Sequence, residues 1–134
     1  MRFMMIVIPE GYASAAPDAV PDARAVARMM EYNATLRKAG VLLALDGLWP
    51  PSTGARVSFA GGKAMVTDGP FAEAKEAVGG YWTIQVGSRE EAIEWARRAP
   101  MSDNEVIEVR RIYEMPDFPA DVQQAAEGSG QGDG

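Results

Sequence analysis

The sequence predicts an α+β fold on three observations. Short apolar runs with strand character flank two segments of helical period. Each helical segment carries its own start and stop signals. A glycine turn in the middle of the chain folds two alternating segments into a hairpin.

The elements follow in order. Phe3 to Ile8 is continuously apolar and closes at Pro9, the pattern of a buried central strand. Residues 9–21, "PEGYASAAPDAVP", carry three prolines and many small side chains and read as a loop, with Asp22 as an N-cap. From Ala23 to Ala39, Ala25, Met29, Tyr32 and Leu36 fall on one helical stripe flanked by Val26. Arg28, Glu31, Arg37 and Lys38 take the other faces, and Gly40 stands where a helix ends. Val41 to Leu45 is a second strand, followed by "WPPSTG", whose prolines cannot sit inside a sheet. In "ARVSFAGGKAMVTDG", Arg56 and Ser58 alternate with Val57 and Phe59, "AGGK" turns, and Ala64 to Thr67 returns. This hairpin is expected to have one wet face and one covered face.

In "YWTIQV", Trp82, Ile84 and Val86 share a face opposite Tyr81, Thr83 and Gln85. Ser88 with Glu91 forms a capping box for a helix over 89–99, closed by Pro100. Its inward side is Ala92, Ile93, Ala96 and Ala99, with Trp95 on a flank. "EVIEVRRIY" is the last strand. Residues 1–118 form one domain, and the polar, glycine-rich tail over 119–134 is expected to be disordered.

Without the hairpin the order is βαββαβ, a ferredoxin-like arrangement with an inserted β-hairpin. Two helices cover one face of such a sheet, and the chain is too short to cover the other. A second copy is the economical cover, so a homodimer with sheets face to face, a dimeric α+β barrel, is expected. Met4 and Met5 of the first strand are assigned to that interface. The alternative is that they face the protomer's own helices.

Composition excludes much. The 134 residues contain no cysteine and no histidine. Disulfides, thiol chemistry, a Ser-His-Asp triad and histidine-ligated metals are therefore ruled out. A hard-cation site built from carboxylates stays open on chemistry, but no metal and no cofactor is assigned. The net charge of −6 argues against a nucleic-acid partner. The apolar N-terminal run is far short of the roughly 20 residues that span a bilayer, so no membrane partner is expected. A cytoplasmic location is expected.

The candidate site residues cluster around "VTDGPFAEAKEAVGGYW". Asp68-Gly69-Pro70 is a turn that holds a carboxylate rigidly at a strand end, as acid/base work requires. A structural aspartate bonding its own turn reads equally well. Phe71 follows, and Glu73 and Glu76 fall on one side if the segment makes a helical turn, with Lys75 between them as an anion anchor. The alternative is a solvated helix laced with ion pairs. Gly79-Gly80 lets the backbone approach a neighbour. Asp46 is a second carboxylate for the same cleft and Trp49 or Tyr81 a wall of it, against a turn aspartate and packing aromatics.

The long central motif closely resembles the signature of the DGPF group within the YCII-related family. "YNATLRKAGVLLALDGLWPPSTGARV", "REEAIEWARRAP" and "EVIEVRRIYE" are similar to its other blocks, so the resemblance covers roughly residues 1–118. It implies a dimeric α+β barrel of ferredoxin-like protomers. Some relatives carry a histidine–aspartate pair proposed as an active site, which this histidine-free chain cannot match. Some are encoded near alternative sigma factors, which implies a regulatory association. Two functions follow as expectations. One is a small-molecule or enzyme-like site at the DGPF loop, with Asp68 as acid/base and Lys75 as anchor. The other is a noncatalytic dimer that binds a metabolite or a protein partner in transcriptional regulation.

Overall fold

The apolar N-terminal run becomes the centre of a four-stranded antiparallel sheet in this computed structural model, which describes residues 1–130. Strand β1 (Arg2–Ile8) has antiparallel neighbours on both sides, β5 (Gly80–Gln85) and β6 (Val106–Arg111). Strand β2 (Leu42–Gly47) closes the order β2-β5-β1-β6. Its register slips between Leu42 and Ala44, where one extra residue enters the strand. Helices α1 (Ala23–Lys38) and α2 (Arg89–Arg97) are the crossovers of the α+β unit. No helix among the described residues is long and apolar enough to cross a membrane.

Strand alternation decides the core. Phe3, Met5 and Val7 of β1 and Trp82 and Ile84 of β5 are buried with Tyr32 and Leu36 of α1 and Ala92 of α2. Met5 stands opposite both Trp82 and Val109, so three strands feed one apolar layer. Met5 is fully buried in this core, whereas Met4 lies half-buried on the other face. Assigning Met5 to an interface is therefore corrected: neighbours in a strand point to opposite faces.

One polar side chain enters the core. Asn33 is 3% exposed and its Oδ1 accepts a 2.7 Å hydrogen bond from the Trp82 indole. Tyr32 meets the same indole edge-on, with ring centroids 5.1 Å apart, and donates its hydroxyl to the Trp95 carbonyl at 2.6 Å. Burial pushes the Tyr32 hydroxyl up to about 12, with the Arg98 cation pulling the other way. The three contacts tie α1 to β5 and α2.

The caps are built from the expected residues. Asp22 accepts from the Ala25 N–H at 2.7 Å, and Gly40 turns the chain at φ 74°. Ser88 accepts from the Glu91 N–H at 3.1 Å. The Glu91 carboxylate reaches back to the Gly87 N–H at 2.9 Å, one residue before the usual box partner.

Two expectations are corrected. Strands β3 (Ala55–Ala60) and β4 (Lys63–Asp68) form a separate two-stranded sheet in which every residue is exposed, so neither face is covered. The hairpin leaves the sheet after "WPPST", and Phe59 and Val66 stay 79% and 66% exposed. Its turn is Gly61-Gly62, both left-handed at φ 58° and 77°, which suits a two-residue hairpin loop. Residues of the expected disordered tail form helix α3 (Ala120–Gly130). Alanine and glutamine favour helix, Asp121 sits in its positive first turn, and the Gln123 amide side chain donates to the Phe118 carbonyl at 2.8 Å. Residues 131–134 lie outside the described residues.

Replacing Asn33 by Ala leaves the Trp82 N–H buried and unpaired, and is expected to cost about 1–3 kcal/mol. Urea unfolding followed by tryptophan fluorescence measures this; a change of a few tenths would mean the bond is not part of the stabilising core.

Candidate functional site

Three loops meet and are joined by one backbone and two side-chain hydrogen bonds. The Gly69 N–H donates to the Gly54 carbonyl at 2.9 Å, drawing the DGPF loop onto the 3-10 turn at Pro51–Thr53. A Cβ on Gly69 would lie 1.8 Å from the Pro51 carbonyl oxygen, so no side chain fits there. Ser52 Oγ then donates to the Ala15 carbonyl at 2.9 Å, and the Tyr12 hydroxyl donates to the Leu48 carbonyl. Pro50 is fully buried beneath the junction.

Between these loops lies an open cleft of about 450 Å³. Residues 13–17 form one wall, Ser52 stands at the base, and Pro70, Phe71, Ala72 and Ala74 form the other wall. The lining is alanine, proline, phenylalanine and two serines, with no ionisable side chain. Both serine hydroxyls are committed as donors, Ser14 to the Gly11 carbonyl at 3.3 Å and Ser52 to Ala15, which leaves their oxygens as acceptors. Arg56 of β3 reaches over from the hairpin and sets its guanidinium 4.0 Å above the centre of the Phe71 ring.

The sequence candidates divide between places. Pro70 and Phe71 line the cleft, and Gly69 belongs to its frame. Asp68 ends β4 opposite Ala55, exposed, outside the lining, and without a hydrogen bond to its carboxylate among the described residues. Glu73, Lys75 and Glu76 stand exposed in a loop that lacks the anticipated helical turn. That loop is held open at its far end, where the Gly79 N–H donates to the Val7 carbonyl at 2.8 Å. Gly79 and Gly80 allow close backbone approach as expected: a Cβ on each would meet Pro9 Cγ at 2.6 Å and the Asp46 carbonyl oxygen at 2.7 Å.

Asp46 and Tyr81 do come together, but not in the cleft. They are register partners on the sheet face away from the helices, and the Tyr81 hydroxyl donates to Asp46 Oδ2 at 2.7 Å. Hydrogen bonding to that carboxylate, then its negative charge and slight burial, raise the Tyr81 pKa above its ordinary value. Trp49 is 64% exposed and lines neither place. Sequence reasoning missed the wall at residues 13–17, Ser52 and Arg56. The first two sat in stretches whose prolines read as connection, and Arg56 read as the wet side of a hairpin.

The sheet order and the two crossover helices make this an α+β domain, built on a four-stranded antiparallel sheet with a separate two-stranded hairpin. The chain belongs to the YCII-related family, whose YCII-related domain matches residues 1–116. It is also similar to "Uncharacterized protein R00369" of Rhizobium meliloti (strain 1021), at 38% identity over 72 residues. That match covers 52% of this chain and 58% of the relative's length.

Asp46→Asn removes the charge that opposes tyrosinate formation, so Tyr81 is expected to titrate at lower pH than in the unaltered protein. Ultraviolet difference titration against Tyr81→Phe measures the shift. An unchanged Tyr81 curve in Asp46→Asn would mean that the pair does not persist in solution.

Proposed function

We propose that this YCII-related domain binds a small molecule in the cleft beside the DGPF loop. The observation that carries the reading is the cleft itself, about 450 Å³ of space between three hydrogen-bonded loops, walled by Pro70 and Phe71. Such a volume falls within the range of small-ligand sites. Its neutral lining favours binding over acid/base chemistry by the cleft's own side chains. The enzyme-like reading needs Asp68 to act from outside that lining, and turnover that survives Asp68→Asn would remove it.

Ala72 is exposed on one wall, so Ala72→Trp fills the cleft while stability stays within about 0.5 kcal/mol. Neutral fragments screened by ligand-observed NMR are expected to bind the unaltered protein and to lose at least about tenfold in affinity to this variant, about 1.4 kcal/mol. Equal binding would place the site elsewhere.

The proposal includes a homodimer. Its support is the sheet face away from α1 and α2, where Met4, Ile6 and Ile8 are half-buried and stand outside the core cluster of the described residues. Ile6 stands at the middle of that face, between Tyr81 and Glu108. Sedimentation at micromolar concentration is expected to give a dimer, and Ile6→Asp a folded monomer. A compact monomer from the unaltered chain would overturn the sheet-to-sheet packing.

A further inference from the structure

We propose that Arg56 makes the cleft selective for a small apolar carboxylate, whose body lies against Phe71 and whose charge meets the guanidinium; this rests on the cleft being a ligand site. Arg56 is 4.0 Å from the centre of the Phe71 ring, and Phe71 is part of the lining. Arg56 is not itself a lining residue, so the charge of a bound ligand would reach the guanidinium past the edge of the Phe71 ring. A guanidinium seated on an aromatic face is pre-oriented and keeps N–H groups free at its edge.

Those N–H groups have no acceptor among the described residues. The ion pairs there are Arg2–Glu114, Arg97–Glu94, Arg110–Glu108 and Arg111–Asp117, and none engages Arg56. Arg24, Arg28, Arg37, Arg89 and Arg98 also lack a carboxylate among the described residues, and what sets Arg56 apart is its seat on Phe71 beside the cleft. Asp68 is close in the hairpin but does not supply one. Arg56 is the register partner of Thr67, and Asp68 that of Ala55, so the two charges leave opposite faces of the ribbon.

The side chains that line the cleft hold no cation. Ser14 and Ser52 have given their hydroxyl hydrogens to carbonyls, so they meet a ligand only as acceptors. Lys75 lies in the same loop but is flanked by Glu73 and Glu76, which make its neighbourhood net negative. The guanidinium is thus the cation assigned to the carboxylate, and the alanines, prolines and Phe71 accept an apolar body.

The test compares phenylacetate with phenylacetamide, which share an apolar body and differ in charge, by NMR titration of the full chain. The acid is expected to bind at least about tenfold tighter, the advantage of a charge-assisted bond. Arg56→Gln should abolish that preference and leave amide binding within about twofold, and Arg56→Lys should restore part of it. Equal binding of acid and amide, or a preference lost in Lys75→Gln and kept in Arg56→Gln, overturns the inference and leaves the cleft standing. Absence of binding by both probes, with neutral fragments also silent, overturns the cleft and the inference together. Phenyl phosphate in a parallel titration separates the oxyanions: tighter binding than phenylacetate overturns the carboxylate assignment.

Discussion

The hydrogen bond from the Trp82 indole to Asn33 is the constraint on which the remaining geometry hangs. A tryptophan 3% exposed at the heart of β5 must satisfy its N–H, and the acceptor is a side chain of α1. An apolar contact would tolerate sliding of the helix along the sheet, whereas a directional bond 2.7 Å long does not. Tyr32 braces the same indole and bonds the backbone of α2. Both helices are thereby registered on the strand that leads out of the DGPF loop.

With β5 held, strand alternation assigns the other chemistry. Trp82 inward puts Tyr81 outward, and the pairing of β2 with β5 brings Asp46 beneath the Tyr81 hydroxyl. The extra residue between Leu42 and Ala44 matters here, because it sets which residues of β2 share the face of Asp46. The Asp46–Tyr81 pair is thus a property of the sheet, and the cleft a property of the loops. Grouping Asp46, Tyr81 and the DGPF residues into one site joined two places that the fold separates.

The cleft depends on close approach. Gly69 lets one loop touch the backbone of another, and Ser52 and Tyr12 fasten the third to them. The DGPF motif acts first as a backbone joint, and its Pro70 and Phe71 become wall because Gly69 has no side chain. The hairpin then sets Arg56 over the Phe71 ring, outside the lining, from an element that shares no sheet with the core.

Local features were legible in the order of the residues alone. Asp22, Gly40 and Ser88 end helices by bonds that span a few residues, Gly61-Gly62 turns a hairpin, and the alternation in "YWTIQV" separates Trp82 from Tyr81. The long DGPF motif also identified the family, since it is extended enough to be specific. Relations between elements emerged only on folding: Asn33 as the partner of Trp82, the exposure of both hairpin faces, and the wall at residues 13–17. Each depends on which distant segments touch. The same polar Asn33 satisfies an N–H in a core or water on a surface, and Arg56 is a wet strand residue until a folded loop brings Phe71 under it.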